Sequence, residues 1–286
     1  MIKEYYYLTK PGIIYGNSIS MVAGFLLASG KHFDLTLFLA ALIGLSLVIA
    51  AACVFNNIWD KDIDQSMDRT KNRAMVTGAI PKTHALVFGV ILLSLGVLIL
   101  TLYTNLLTLG VGLVGFFVYV LAYTPLKRRS VHATLIGAIS GATPPVAGYT
   151  AVVNKFDACA IILFLILVFW QMPHFYSIAI RRLKDYTAAG LPVLPAVKGI
   201  LVTKINILIY MLGFIISMAL LTIYGYTGYI FLVLVLILGL YWLAVCLQGF
   251  RKDIFPAESW AKKMFFTSLW VLLILCALIS VSARLA

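Results

Sequence analysis

Charge is scarce in this amino-acid sequence. Asp, Glu, Lys and Arg make up 11% of its 286 residues, and hydrophobic residues make up 63%. Because a soluble domain carries about a quarter charged residues, this composition indicates a surface that faces lipid rather than water. The longest polar stretch, residues 56–83, is too short to bury a core of its own. We therefore expect residues 1–286 to form a single polytopic membrane domain.

Cysteine is also rare, and short alternating segments are missing. The four cysteines fall in or beside apolar runs without close pairing or the spacing of metal ligands, which excludes a disulfide framework and a zinc site. The apolar runs do not alternate with polar residues at every second position, which excludes a membrane β-barrel.

What the sequence does contain is a series of apolar runs, each long enough to cross a bilayer as a helix of about 20 residues. These runs predict an all-α integral membrane protein with about nine transmembrane helices around a central chamber. The predicted spans are 12–30, 36–55, 85–104, 106–124, 132–150, 158–180, 203–223, 228–248 and 266–285.

The basic residues divide unequally between the two sides that nine alternating spans create. With the N-terminus inside, all of the 22 Lys and Arg residues except Lys31, Lys155 and Arg284 fall on inner segments or their borders. Cytoplasmic loops are enriched in Lys and Arg, so this bias favours a cytoplasmic N-terminus and an active site that faces the cytoplasm. The net charge of +12 is explained in this way without nucleic-acid binding. No Arg- and Ser-rich presequence precedes the first span, and we expect a bacterial cytoplasmic (inner) membrane.

Polar residues recur at every fourth position after the second span. Asn56, Asp60, Asp64 and Asp68 share one face if the helix continues beyond the membrane. Carboxylates at this spacing repel each other, and a divalent cation would offset the repulsion. Mg²⁺ prefers one or two carboxylates together with water and phosphate oxygens, and the basic run 69–73 adds positive charge for a phosphate. The alternative is a solvated helix end whose charges pair locally. Three residues stay open between metal, phosphate and plain solvation: Lys61, Asp62 and Asp68.

The fourth span ends with Tyr123 and Lys127, which face the same way if the helix persists through Pro125. Taken alone, they are explained by an interfacial tyrosine and ordinary inner positive charge. Beside a diphosphate site, Lys127 would be a point-charge ligand and Tyr123 a hydroxyl donor.

The fifth span contains Pro144 and Pro145, which force a kink or a break because proline lacks the backbone donor. Broken backbone at membrane depth is tolerated only against protein or a cavity. We expect this span to border the central chamber, although a packing kink among small residues explains the pattern equally well.

Gln171 and His174 lie near the end of the sixth apolar run, and Arg181 follows. An ionisable group within a span is a functional candidate. A lone histidine is, however, more often a hydrogen-bonded structural residue, and both readings of His174 stay open.

Together these motifs resemble the membrane-embedded aromatic prenyltransferase superfamily. Asn56-Asn57-x-x-Asp60-x-x-x-Asp64 is similar to its first aspartate-rich motif, and Tyr123-x-x-x-Lys127 is similar to its tyrosine–lysine motif. Four further runs resemble the protohaem IX farnesyltransferase (haem O synthase) family: residues 10–13, 68–73, 141–149 and 170–175. The resemblance extends from about residue 8 to residue 200, and beyond residue 205 only the span pattern is similar.

The resemblance implies transfer of a farnesyl group from farnesyl diphosphate to a vinyl group of protohaem IX, with addition of water to give haem O. It implies that Asp60 and Asp64 bind Mg²⁺. It also implies catalytic roles for four residues: Asp60, Asp64, Tyr123 and Lys127. Substrate-binding roles are implied for Asn56, Asn57, Arg69, Lys71, Arg73, His174, Arg181, Lys184 and Asp185. His174 would orient the haem at its iron or at a propionate, and a haem A synthase would be a downstream partner.

The sequence departs from the quinone-directed members of the superfamily, which carry a second paired-acid motif after the sixth span. Asp185 is the single acid there, and Asn57 stands where many relatives have an acid, so a second metal ion is not implied. Three rival functions stay open. An enzyme of the same fold could prenylate an aromatic acid or quinone precursor, a transporter would repeat its broken charged segments in both halves, and a non-catalytic haem-binding subunit would need paired histidines within spans.

Overall fold

A computed structural model describes residues 2–251 and 256–285, with side chains up to residue 282. The described part of the chain is helical and contains no strand. Its helices are α1 (Ile2–Leu8), α2 (Pro11–Ser29), α3 (Leu35–Trp59), α4 (Lys61–Gln65), α5 (Ala74–Thr77), α6 (Lys82–Tyr103), α7 (Leu106–Phe117), α8 (Thr124–Leu126), α9 (Ala133–Gly141), α10 (Thr143–Val153), α11 (Ala158–Arg181), α12 (Leu183–Ala188), α13 (Leu194–Val197), α14 (Gly199–Ile223), α15 (Tyr229–Gln248) and α16 (Ala257–Leu285). A π-helical segment, Val118–Tyr123, joins α7 to α8.

Within the described residues, eight helical segments are long and apolar enough to cross a membrane. They are α2, α3, α6, the continuous segment Leu106–Leu126, α11, α14, α15 and α16. Large apolar side chains such as Ile209, Ile216 and Ile237 are exposed on the outer faces of these helices, where a bilayer would cover them. The predicted all-α multi-pass membrane architecture is therefore confirmed.

The predicted span at 132–150 is not one continuous helix. Residues 133–153 form α9 and α10, which meet at Ala142. Pro144 and Pro145 lie in the first turn of α10, where a missing N–H breaks no intrahelical hydrogen bond. A new helix can therefore begin at the prolines, but the preceding one cannot continue through them. The total of nine transmembrane helices stays a prediction.

The break frees a backbone carbonyl that a side chain from the neighbouring helix satisfies. The N–H of Ala142 donates to the carbonyl of Ile139 (3.3 Å), and Gln171 Nε2 donates to the carbonyl of Ala138 (3.0 Å). Gly141 leaves room for this amide, because a Cβ at that position would lie 2.0 Å from Gln171 Oε1. The polar residue of the sixth span thus has a structural role.

The α2 and α10 helices touch at their backbones. A Cβ on Gly24 would lie 2.0 Å from the carbonyl oxygen of Pro145, and a Cβ on Gly148 would lie 2.1 Å from that of Met21. Small residues commonly allow membrane helices to approach this closely. The contact fixes the second half of the broken span against the first transmembrane helix.

Hydrogen bonds between helix ends show which ends lie on the same side of the bundle. Asn105, which precedes α7, donates to the carbonyl of Thr150 near the end of α10 (2.9 Å). The hydroxyl of Tyr149 donates to Asp157, which caps the start of α11 (2.9 Å). The start of α2 and the end of α3 meet at the opposite side, as alternating spans require.

Which side faces the cytoplasm stays a prediction, and so does the assignment of residues 1–286 to one domain. Two basic residues that enter the charge bias, Lys252 and the side chain of Arg284, lie outside the described residues.

Candidate active site

A chamber of about 620 Å³ lies among α2, α3, α7, the π-helical segment, α9, α10, α11 and α16. Most of its wall is apolar, and the volume falls in the range of about 300–1,000 Å³ that small-molecule sites occupy. Gly141, Thr143 and Pro144 line it at the helix break. The broken span therefore borders the chamber as expected, and its close contact with α2 through small residues supports the packing explanation as well.

The predicted stripe of Asn56, Asp60, Asp64 and Asp68 (the acidic stripe) begins at the end of α3 and continues for two helical turns. The N–H of Asp60 donates to the carbonyl of Asn56 (2.9 Å), and the N–H of Asp64 donates to the carbonyl of Asp60 (2.8 Å). All three side chains are buried. Asp68 leaves the stripe because α4 ends at Gln65, and its side chain, 86% exposed, pairs with Lys71 (2.7 Å). The solvated helix end that was the alternative thus applies to Asp68 and not to Asp60 or Asp64.

Each buried carboxylate has a cation beside it. Lys127 Nζ forms an ion pair with Asp60 Oδ2, and Arg73 Nη1 forms one with Asp64 Oδ2 (2.6 Å). The second oxygen of Asp60, Oδ1, is buried without a hydrogen-bond partner in the described part of the chain. Lys127 lines the chamber, so the carboxylate that it covers lies directly behind the chamber wall.

Lys10 is a third cation at this cluster. Its ammonium donates to Asn56 Oδ1, and burial lowers the pKa of Lys10 to about 8. Its backbone has φ 54° and ψ 66°, a left-handed conformation that is uncommon outside glycine and concentrates at functional sites. In the sequence, Lys10 stands out only as the first residue of the run 10–13 that resembles the family, and it was not predicted as a site residue. Its place directly before Pro11 and the first span was the available signal.

Asn57 and Arg73 connect the cluster to α1. The amide of Asn57 donates to the carbonyl of Leu8 (2.8 Å) and to that of Cys53 (3.1 Å). Its oxygen accepts from Arg73 (3.3 Å). Asn57 therefore orients the arginine that pairs with Asp64.

Tyr123 and Lys127 share one turn despite the intervening Pro125. The N–H of Lys127 donates to the carbonyl of Tyr123 (3.0 Å), and both side chains line the chamber. Tyr119 stacks on Tyr123 with ring centroids 5.2 Å apart. Tyr186 of α12 also lines the chamber, and burial raises the pKa of its hydroxyl. Tyr186 was not predicted as a site residue, because nothing in its local sequence distinguishes it from an interfacial tyrosine.

Asp62, which the sequence leaves open, belongs to a surface ion pair. Arg128 donates to both of its carboxylate oxygens (2.6 and 2.7 Å) and to the carbonyl of Trp59 (2.5 Å). These hydrogen bonds lower the pKa of the Asp62 carboxyl. The pair joins the turn after α8 to α4, and Lys127 and Asp60 form their own pair beside it.

Further positive charge surrounds the opening of the chamber. Arg69, Arg181 and Arg182 line it, and Arg182 lies 3.8 Å from the carboxylate of Asp185. Lys71 and Lys184 are exposed and lie outside the lining in the described structure. The substrate-binding roles of these last two residues stay predictions that the geometry does not favour.

The wall formed by α11 and α16 carries aromatic side chains and His174. The imidazole stacks on Trp170 (centroids 4.9 Å apart, planes at 20°) and packs against Phe265 (5.0 Å). The guanidinium of Arg181 lies 5.6 Å from the Phe265 ring centroid. His174 Nδ1 is 2.7 Å from Ser268 Oγ. The chamber thus has one wall suited to a flat aromatic molecule and one end suited to an anion.

Residues 17–281 match the UbiA prenyltransferase family. The chain is 48% identical over 282 residues to a protein from Edwardsiella ictaluri (strain 93-146) named protoheme IX farnesyltransferase, covering 98% of this chain and 95% of that one. It is 49% identical to a protein of the same name from Yersinia enterocolitica, with the same coverage. These matches confirm the resemblance and extend it past residue 205.

Solved structures show the same fold at lower identity. One described as a digeranylgeranylglyceryl phosphate synthase has a TM-score of 0.83 at 21% identity and covers 100% of this chain and 99% of that one. A UbiA homologue from Archaeoglobus fulgidus bound to GPP and Mg²⁺ has a TM-score of 0.70 at 15% identity, covering 97% of this chain and 99% of that one.

Proposed function

Because the chain belongs to the UbiA prenyltransferase family, we propose that it transfers a farnesyl group from farnesyl diphosphate to a vinyl group of protohaem IX. Water adds in the same reaction, and the products are haem O and diphosphate. The names of the relatives that are about half identical over nearly their full length support this acceptor.

One observation carries the proposal. Lys127, which is paired with the buried Asp60, lines an apolar chamber, and the imidazole of His174 lies on an aromatic wall of the same chamber. The first group suits a diphosphate with its counter-ion, and the second suits a metalloporphyrin. A chamber that holds both places donor and acceptor beside each other.

The donor set fits a magnesium ion bound together with diphosphate. Asp60 Oδ1 is buried and unpartnered in the described chain, which leaves one oxygen free for a ligand. Mg²⁺ takes one or two carboxylates and completes its shell with water and phosphate oxygens. Asp60 and Asp64 would hold the ion, which would neutralise charge on the departing diphosphate.

The cations of the cluster would bind the diphosphate. Lys10, Arg73 and Lys127 pair with the acidic stripe in the described structure. With the donor bound, their N–H groups would bond to phosphate oxygens, and Tyr123 would donate its hydroxyl. These donors stabilise the negative charge that develops as the allylic C–O bond breaks.

The apolar wall protects the allylic cation from water while the acceptor approaches. The π electrons of the vinyl group form the new carbon–carbon bond with the first carbon of the farnesyl chain. Water then adds to the cation left on the porphyrin side and loses a proton, which gives the hydroxyethylfarnesyl group. His174 and Arg181, both on the α11 wall, would hold the haem in place.

The remaining polar residues of the site would have supporting roles. Asn56 and Asn57 position Lys10 and Arg73, and Arg69 adds positive charge at the opening. The exposed Lys71 and Lys184 would attract the anionic substrates without contacting them. Asp185 would orient Arg182.

We further propose that the chain is one domain in the bacterial cytoplasmic membrane, with the N-terminus and the opening of the chamber on the cytoplasmic side. The unequal distribution of Lys and Arg supports this orientation. Haem O would then pass to a haem A synthase.

Mass spectrometry of extracted haem tests the function. Membranes that contain the protein are incubated with protohaem, farnesyl diphosphate and Mg²⁺, and we expect a haem heavier by one farnesyl group and one hydroxyl group. Asp60→Asn and Asp64→Asn should abolish the product, whereas Asp68→Asn, on the exposed side, should not. A prenylated aromatic acid in place of haem O, or full Mg²⁺-dependent turnover in either of the first two variants, would contradict the proposal.

A further inference from the structure

A chain of hydrogen bonds fixes the protonation of His174. Ser268 Oγ lies 2.5 Å from the carbonyl oxygen of Phe265 and 2.7 Å from His174 Nδ1. Two oxygens this close require a proton between them, and the carbonyl has none to give. The single hydroxyl proton of Ser268 is thus directed to Phe265, and Ser268 can only accept from the imidazole. His174 therefore carries a proton on Nδ1, and in the neutral ring the free lone pair is on Nε2.

The side chains around the imidazole leave Nε2 as the ring nitrogen that can face the chamber. Trp170 and Phe265 pack against the imidazole, and Ser268 occupies its Nδ1 edge. Trp170 Nε1 donates to the backbone carbonyl of Ser268 (2.9 Å), which fixes α16 against α11 at this level. His174 lines the chamber, and its Nε2 has no hydrogen-bond partner in the described part of the chain.

We propose that Ser268 is a positioning residue that holds His174 as the Nδ1–H tautomer and so presents Nε2 to the iron of the haem. The proposal rests on haem as the acceptor. An Nε2 lone pair binds a metal ion and repels a carboxylate, so this tautomer selects the iron over a propionate. A hydrogen bond at the other ring nitrogen orients a metal-bound histidine and raises its basicity.

Arg181 is placed to take the propionates that His174 does not. It follows His174 by seven residues, which is two turns and about 10 Å along α11, and both residues lie on the face that lines the chamber. The guanidinium packs over Phe265 and has no ion-pair partner among the described residues. The iron would lie deeper in the chamber and the propionates nearer its opening.

Haem titrations of the purified full-length protein in detergent test the proposal. The probes are ferric protohaem and metal-free protoporphyrin, followed by optical spectra, and the ferrous iron–histidine stretch is measured by resonance Raman spectroscopy. We expect Ser268→Ala to lower the iron–histidine frequency and weaken ferric haem binding by 10–100-fold, the usual effect of losing such a partner. Metal-free protoporphyrin should bind equally well. Ser217→Ala is the matched control, because Ser217 is a buried serine bonded only within its own helix (Gly213 carbonyl, 2.8 Å).

A second variant protects the test from a folding defect. His174→Gly opens a space that added imidazole can fill, and imidazole should restore the axial-ligand spectrum when Ser268 is present. In His174→Gly/Ser268→Ala the imidazole should bind at least tenfold more weakly. An unchanged spectrum and haem affinity in Ser268→Ala, or equal losses for haem and metal-free protoporphyrin, would overturn the proposal.

The outcome also separates this proposal from the proposed function. A wild-type protein that forms haem O while Ser268→Ala keeps a native haem spectrum refutes the positioning role alone. A wild-type protein that binds haem through His174 but forms no haem O refutes the reaction alone.

Discussion

Variants of the ion pair between Asp60 and Lys127 should change the stability of the protein and its farnesyl transfer activity differently. The carboxylate is 3% exposed and its ammonium partner 17% exposed, and the second oxygen of Asp60 has no partner in the described structure. Lys127→Met would leave a buried charge with no compensation. Removing one partner of a buried pair costs about 3–5 kcal/mol, and we expect this loss in the free energy of unfolding.

The double variant Asp60→Asn/Lys127→Met removes both charges together. Replacing a buried pair by neutral groups is often close to neutral for stability, so we expect it to recover most of the loss, to within about 1–2 kcal/mol of wild type. Farnesyl transfer should be lost in both the single and the double variant, because neither offers Lys127 to the diphosphate. Stability should recover, and activity should not.

Unfolding can be followed with a thiol-reactive fluorogenic dye in a denaturant titration in mixed micelles. All four cysteines are buried, so labelling reports exposure of the interior. Arg128→Met is the matched control, since its pair with Asp62 is 31% and 66% exposed and should cost at most about 1 kcal/mol. If Lys127→Met destabilises the protein no more than Arg128→Met does, the reasoning from burial is refuted.

Three further predictions concern packing, the helix break and pH. Gly24→Ala should cost about 1–3 kcal/mol of unfolding free energy, as overpacking does, because its Cβ would clash with a backbone carbonyl of α10. Gly12→Ala is the control, since a Cβ there meets open space, and equal losses in the two variants would contradict the backbone contact. Gly141→Ala should displace the amide of Gln171 and lower the free energy of unfolding by about 1–3 kcal/mol, because the Ala138 carbonyl loses its hydrogen bond. In the double variant with Gln171→Leu the two losses should not add, and additive losses would show that the two residues act separately. Burial lowers the pKa of Lys10 to about 8, so its positive charge is present below that pH and lost above it. The affinity for farnesyl diphosphate should therefore fall as pH rises through about 8, and Lys10→Arg, which stays charged, should flatten that dependence; a wild-type profile in Lys10→Arg would exclude Lys10 as its source.

Some features of the site follow from local sequence. The spacing of Asn56, Asp60, Asp64 and Asp68 predicts one stripe along a helix face, and the structure keeps the first three residues in register and buries them. Asp68 has the same spacing but leaves the stripe because α4 ends at Gln65. Periodicity predicts which residues share a face only as far as the helix persists.

Other features could not be predicted from local sequence. Lys10 forms a hydrogen bond with Asn56, which lies 46 residues away in the sequence, and Lys127 forms one with Asp60, 67 residues away. His174 finds Ser268 across 94 residues, in a segment where the sequence shows only an apolar span. Such pairings depend on how helices pack, and a sequence motif does not encode which distant helix is its neighbour.

The sequence alone predicts a helical membrane protein, and from nine alternating spans it predicts that the basic residues concentrate on one side. It could do so because the length of an apolar run and the sign of the flanking charge are local properties that a bilayer selects directly. The sequence also predicts a kink or a break at Pro144 and Pro145, but the packed structure is needed to show that Gln171 satisfies the break and which cation covers each acid. Close packing and the need to satisfy every buried polar group are conditions on all the helices at once, so no local pattern fixes them.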